Sequence, residues 1–415
     1  MAGVCPYGVQ LAFSEMNFSA LPAASMWADT CPIDTQQFQG SANETLPSQT
    51  NDPLADLIHD VGLGLSNSSH IVVDIKAFMK SLGDRPFYSR SMLRHAAEQL
   101  IRARNGLNIT LTDCYGATRV YPAEDISFYS QYFPLDFFLY YNGLHLLATP
   151  PPWQDSSCDD MLPISVGFRK QVEEPNNPRD RILLKFYMQQ AEKLWQVSDV
   201  HHVLFNSLNS LKHTARITNI VCIGLGTLHM SGSRNANPAM QHIVASSIAQ
   251  DLERVYKAEG FPVDTPITII AQDPAYNELD RVILSELPVP IKTVSDPEGF
   301  LAINESSLVF SCYPEVPVKQ LVADLSSEAP GGKGPAALFL NRNLIGKAHV
   351  DVNLVRYERE HPFRYADPLT RDYLRMLESY TQVFDGERLF GEDFYLFIPT
   401  LNTTHNETKH MPGYE

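Results

Sequence analysis

Between residues 217 and 223 the chain runs through β-branched and apolar positions and then meets Gly224-Leu225-Gly226. A short apolar run bounded by glycines predicts a buried strand ending in a glycine turn. After a polar loop, Asn237-Pro238 opens the next element. The Asn237 side chain suits a helix cap, and Pro238 suits the first helical position, where no amide donor is needed. Met240, Ile243, Val244, Ser247, Ile248, Leu252, Val255 and Tyr256 recur at helical spacing and predict one buried stripe. Gly260 and Pro262 stop that helix. Strand, glycine loop and helix form the first half of a parallel βαβ unit.

The alternation continues downstream. Strands are predicted at 267–270, 291–294, 308–312 and 336–340, with helices over 277–287 and 316–325. A helix over 369–384 and a strand at 394–398 close the series. Upstream, a helix over 179–197 is predicted to bury Leu183, Tyr187, Ala191, Leu194 and Trp195, and an apolar run at 203–211 leads into the central strand. Such alternation predicts an α/β domain over 179–400, a Rossmann-like, doubly wound and mostly parallel sheet.

Three further segments differ in texture. Residues 69–148 read as a small α+β accessory region. It has a strand at 71–75, an amphipathic helix over 89–104, a hairpin pairing 109–112 with 117–121, and an aromatic-dense stretch with a strand at 137–141. A Pro-rich connection spans 149–178. Residues 1–68 are rich in Ser, Thr, Asn, Gln and Pro, with no sustained apolar period, and are expected to be disordered apart from one short helix. Residues 401–415 are polar and read as a flexible tail.

The central motifs also carry a family resemblance. Val221-Cys222-Ile223-Gly224-Leu225-Gly226, then Gln241, then Asp273-Pro274 and Glu278-Leu279 resemble, in order, the "sensitivity to red light reduced" (SRR-like) family over about 180–345. The long N-terminal extension suggests a fungal-type or lineage-specific member. The resemblance implies a regulatory protein, since the family is associated with light and circadian signalling in plants. It implies no agreed catalytic residues. Where the family often shows a Pro-His-Cys-Pro-like run, this chain has Ser311-Cys312-Tyr313-Pro314, without the histidine.

Charge narrows the partners. The formal net charge is −16, which argues against nucleic acid, whose binders present a basic face, and against docking on anionic lipid. The most apolar region, 133–148, is short and interrupted by Asp136, Asn142 and His145, so no membrane span is predicted. Residues 1–70 hold no Lys or Arg, which disfavours a signal peptide or mitochondrial presequence and points to a cytoplasmic or nuclear protein. The six cysteines lack paired spacing and are expected as thiols, so the seven Asn-x-Ser/Thr sequons read as chance.

Candidate chemistry gathers at the predicted strand ends. Gly224-x-Gly226 has His229 where a third fingerprint glycine would stand, and eleven residues separate Gly226 from Pro238. A pyrophosphate cradle needs helix amides close to the turn, so a dinucleotide is weakly supported. Asp273, ending the second strand, suits either a ribose acceptor or a turn cap. Cys222 reads as a buried inert thiol, and His229 and His242 lack a carboxylate spaced to complete a metal site. Gly331-Gly332-Lys333-Gly334 precedes a strand rather than opening a helix, which excludes a phosphate loop, and no Gly-x-Ser-x-Gly elbow occurs. The candidate ligand-binding residues are Gly224, Gly226, Thr227, Gln241, Asp273 and Cys312. They name no cofactor, metal or catalytic group. A small-molecule ligand and a protein are the candidate partners, and the alternative function is a small-molecule enzyme resembling S-adenosylmethionine-dependent methyltransferases.

Overall fold

The computed structural model describes residues 70–400, leaving out 84, 124–133, 149–161, 171–177, 233–236, 262–265, 313, 342–353, 359–366, 387, 388 and 392. The expectations for 1–68, for 401–415 and for Cys5, Cys31 and Cys158 lie outside the described residues.

The N-terminal elements are β1 (His70–Asp74), α1 (Ile75–Leu82), α2 (Arg90–Arg104), β2 (Ile109–Thr112), β3 (Thr118–Tyr121), β4 (Leu135–Tyr141), α3 (Leu144–Ala148) and β5 (Ile164–Lys170). The first strand stops one residue earlier than predicted, because Asp74 turns the chain by accepting from Ala77 N at 2.8 Å and caps α1. β5 lies where only a Pro-rich connection was expected. It pairs antiparallel with β4 along seven residues, so long-range pairing made a strand of a segment whose own pattern is mixed.

The remaining elements are α4 (Pro178–Gln196), α5 (Asp199–Leu208), β6 (Asn219–Ile223), α6 (Pro238–Ala258), β7 (Thr268–Gln272), α7 (Glu278–Ser285), β8 (Ile291–Val294), α8 (Glu298–Ala302), β9 (Ser307–Ser311), α9 (Val318–Ser327), β10 (Ala337–Asn341), β11 (Leu354–Glu358), α10 (Arg371–Leu377), β12 (Tyr380–Gly386) and β13 (Phe394–Pro399). The helix predicted over 369–384 is corrected to the short α10 followed by β12. Tyr380, Thr381, Val383 and Phe384 favour a strand, and β12 finds its partner in β13. Unpredicted β11 pairs antiparallel with β1.

Seven strands form one sheet in the order β12-β13-β10-β9-β6-β7-β8. β10, β9, β6, β7 and β8 are parallel, while β13 and β12 extend the edge antiparallel. The sheet is therefore mostly parallel. Its central strands are apolar at successive positions because both faces are covered. Ile220, Cys222, Ile269 and Phe310 join a core with α4, α5, α6 and α7. Val221, Ile223, Val309 and Leu338 join a second core with α1, α2, α9 and α10. Adjacent residues of a strand point to opposite faces, which divides the two sets.

The buried face of α4 differs from the predicted one. Leu184, Met188, Ala191 and Trp195 are buried, whereas Leu183 and Leu194 are 46% and 45% exposed. Both faces of this helix carry apolar residues, so periodicity alone could not choose between them.

Two carboxyl groups, Asp324 on α9 and Asp296 after β8, tie the N-terminal elements to the α/β part of the chain. Tyr88 N donates to Asp324 Oδ2 at 2.9 Å, and the Tyr141 hydroxyl donates to Asp296, which also accepts from Gln272 Nε2 at 3.0 Å.

Candidate functional site

The strand order reverses at β6. From there the chain builds outward through β7 and β8, then returns to the other side of β6 with β9 and β10. In open parallel sheets a ligand crevice opens outside the carboxyl ends at such a reversal. Gly224 and Gly226 follow β6, and Cys312 follows β9.

Both glycines hold a left-handed backbone, with φ of 70° and 76°. Gly224 N donates to Gln272 O at 3.1 Å, which carries the chain across toward β7. A Cβ on Gly224 would lie 3.1 Å from Pro314 Cα and 3.4 Å from Cys312 O. One on Gly226 would lie 3.2 Å from Pro238 Cγ. The turn is thus held between two prolines. This corrects the expectation that a long loop would keep the turn away from the helix. The loop folds into a 3-10 turn, Leu228–Gly232, and returns Pro238 to the glycine.

Closeness does not leave the helix amides open to an anion. Asn237 Oδ1 accepts from Met240 N at 3.1 Å, Ser231 Oγ accepts from Ala239 N at 3.0 Å, and Asn237 O accepts from Gln241 N at 3.1 Å. Pro238 has no amide hydrogen. The start of α6 therefore binds its own chain, and a pyrophosphate would have to displace these acceptors.

Asp273 occupies the amide that a dinucleotide loop would offer to phosphate. Its Oδ2 accepts from Gly226 N at 2.7 Å and its Oδ1 from Ala275 N at 2.9 Å. Burial raises its pKa from the ordinary carboxylate value. The two amide bonds pull it down, and the neighbouring Glu315 and Asp280 carboxylates push it up. Its oxygens make the contacts of a turn cap.

Asp280, which the sequence reading passed over, is the hub of the loop. It is wholly buried. Its Oδ2 accepts from Thr227 Oγ1 at 2.8 Å and Asn277 N at 3.0 Å, and its Oδ1 accepts from Leu228 N at 2.9 Å. Asn277 Oδ1 accepts from Asp280 N at 2.9 Å, which completes a capping box at α7. The spacing Asn277-x-x-Asp280 was a readable signal; the reach back to Thr227 was not.

His242 is buried, and its two nitrogens have fixed roles. Pro238 O only accepts, so Nδ1, 2.6 Å away, carries the proton; Nε2 then accepts from Tyr276 Oη at 2.7 Å. Burial lowers the His242 pKa to about 4, and burial raises that of Tyr276 well above the ordinary phenol value. The pair is neutral at physiological pH and braces α6 against the chain after β7, rather than exchanging protons.

Gln241 is 2% exposed, and its Oε1 has no hydrogen-bond partner among the described residues. At about 100° per residue, Gln241 and His242 lie on opposite sides of Pro238 around the helix. His242 reaches Tyr276, after β7, and Gln241 lies about 100° around the helix from it. A buried carbonyl without a donor costs about 1–3 kcal/mol, which a donor supplied by a ligand would relieve.

Cys222 and Cys312 are buried, and neither forms a disulfide. Burial raises the Cys222 thiol pKa, which leaves it unreactive. Among the described residues no group of His, Cys, Asp and Glu could hold a metal ion. A Ser/His/Asp cluster does occur elsewhere, on α5 and α6. His201 Nε2 lies 3.3 Å from Ser247 Oγ and 3.4 Å from Asp251 Oδ2. Both partners meet the same nitrogen, whereas a nucleophilic triad needs one on each.

No helix among the described residues is long and apolar enough to cross a membrane. No curated protein matches the chain. Residues 198–361 match the family model of the SRR1 domain, a span that takes in β6, the glycine turn, Gln241, Asp273 and Cys312. The match does not bear on lineage. On the central motifs and this match together, residues 198–361 are similar to an SRR1 domain.

Proposed function

We propose that this SRR1-like domain is a regulatory module that binds a small molecule in a Rossmann-like, doubly wound crevice at the β6–β9 reversal. Gly224, Gly226, Thr227, Gln241, Asp273 and Cys312 surround that crevice in the proposal, within an intracellular protein that relays binding to a protein partner. The strand order around β6 and the helices on both faces of the sheet support the doubly wound reading. The observation that carries ligand binding is the buried Gln241 Oε1 without a donor. The helix amides are satisfied and the acceptors Gln241 Oε1, Asp273 and Glu315 belong to this part of the chain, so the ligand is one that brings hydrogen-bond donors rather than phosphate oxygens. The regulatory role rests on the family resemblance.

Thermal shift against nucleosides, S-adenosylmethionine and haem, with nucleotides and NAD as the phosphate-bearing comparison, tests it. A ligand at 100 times its Kd adds about 2.7 kcal/mol of stability. Gln241→Leu should leave the unliganded protein as stable as wild type or more so, because the orphan carbonyl is gone, and should abolish the shift. A flat response across the panel, or a shift that survives Gln241→Leu, overturns the proposal.

A further inference from the structure

The side chains about the reversal at β6 offer hydrogen-bond acceptors and negative charge. Asp273 follows β7 and Glu315 follows β9, on opposite sides of β6. The charges that act on Asp273 are those of Glu315 and Asp280, both negative. Glu315 is exposed, and Asp273 is partly so. Each Asp273 oxygen accepts one amide, from Gly226 and from Ala275. A carboxylate oxygen has room for a second donor, so two acceptor positions remain side by side, as two neighbouring hydroxyls require. Gln241 adds another. It stands three residues past Pro238, on the face of α6 that meets the glycine turn, and its buried Oε1 has no donor among the described residues.

These groups select among ligands. A phosphate would face like charge and amides already bonded within the chain. A metal ion is disfavoured, since among the described residues no group of His, Cys, Asp and Glu could hold one. A positive charge would relieve the repulsion between the carboxylates. Asp273 stands at the carboxyl end of the second strand counted from β6, beside the reversal, where an acidic side chain meets a ribose. Numbered from β6, the sheet order is 6-7-5-4-1-2-3, with the seventh strand, β13, antiparallel. S-adenosylmethionine-dependent methyltransferases share that order, although order alone fixes no ligand.

We propose that the crevice takes a nucleoside with a positively charged tail, the chemistry of S-adenosylmethionine, with Asp273 accepting from both ribose hydroxyls and Glu315 facing the cation. Gln241 Oε1 takes an N–H of the same ligand. Resting on the ligand-binding reading above, this narrows the ligand to one chemical class.

Isothermal titration of the full chain with S-adenosylmethionine, adenosine, 2′,3′-dideoxyadenosine, AMP and haem tests this. S-adenosylmethionine should bind more tightly than adenosine, and AMP about tenfold more weakly than adenosine or worse. Asp273→Asn, which keeps the cap of the turn, should cost adenosine about tenfold or more and leave dideoxyadenosine unchanged. A merely structural role would weaken both alike. Glu315→Gln, at an exposed site, should weaken S-adenosylmethionine and leave adenosine unchanged. AMP matching S-adenosylmethionine, a loss in Asp273→Asn that ignores the ribose hydroxyls, or Glu315→Gln leaving S-adenosylmethionine unchanged overturns the assignment. So does haem binding alone and being lost in Gln241→Leu: ligand binding at the reversal then stands and the nucleoside falls. No binding by any compound overturns both.

Discussion

Asp280 offers the sharpest test of how the glycine loop is held. Asp280→Ala removes the acceptor for three donors: Leu228 N, Asn277 N and Thr227 Oγ1. The Leu228 bond is buried, so its amide is left without a partner or solvent, at about 1–3 kcal/mol. Asn277 N and Thr227 Oγ1 are partly buried and can reach water, so each loses about 1 kcal/mol. The sum is about 3–5 kcal/mol, a large share of the roughly 5–15 kcal/mol by which a domain is stable. Asp280→Asn keeps one acceptor oxygen but turns an NH2 toward remaining donors, and should cost about 2 kcal/mol. Thr227→Ala removes a weak 3.4 Å bond from His229 N and, at about 1 kcal/mol, the 2.8 Å bond to Asp280. In the Asp280→Ala background that bond is already gone. Adding Thr227→Ala there should then cost nearly nothing, a coupling of about 1 kcal/mol in a double-mutant cycle. Urea unfolding measures each value, and hydrogen exchange at Leu228 reports the opened loop directly. A cost below about 1 kcal/mol for Asp280→Ala, or an additive cycle, would refute the hub.

Three other outcomes are expected. Burial raises Asp296 from 3.8 to about 7, against the pull of its bonds from Tyr141 and Gln272. The folded state therefore keeps a proton that the unfolded chain has lost, and the stabilising contribution present below about pH 4 is lost as pH rises through about 7. At 1.36 kcal/mol per unit the ceiling is about 4 kcal/mol, and Asp296→Asn should flatten urea-measured stability across that window; an unchanged slope refutes it. Gly226→Ala places a side chain in left-handed backbone against Pro238 and should cost about 1–3 kcal/mol in thermal melting, with no loss indicating that the turn relaxes freely. Asp273→Ala should lose about 1 kcal/mol as a lost cap while Asp273→Asn stays near wild type; equal losses in urea unfolding would show that the charge itself is required.

The elements legible beforehand were those whose local signals agreed. Asn237-Pro238 opened α6 at the predicted residue because cap and helix starter stand side by side. β6 was legible from its unbroken apolar run and its glycine exit. Of the candidate site, Gly224, Gly226, Gln241 and Asp273 could be named from their place in that pattern. Tyr276 and Asp280 could not, since each works through a partner distant in sequence, His242 and Thr227 respectively.

The sequence by itself determined where the parallel strands of the central sheet lie, because burial on both faces demands near-continuous apolar strands. Tertiary structure decided three things that no local pattern holds. Pairing partners made strands of 164–170, 354–358 and 380–386, whose residues are compatible with strand but do not require it. The fold chose which apolar face of α4 is buried, as only the position of the core distinguishes Leu184 from Leu183. The return of Pro238 onto Gly226 set the form of the glycine turn, since loop length limits how far two ends can separate but not how closely they meet.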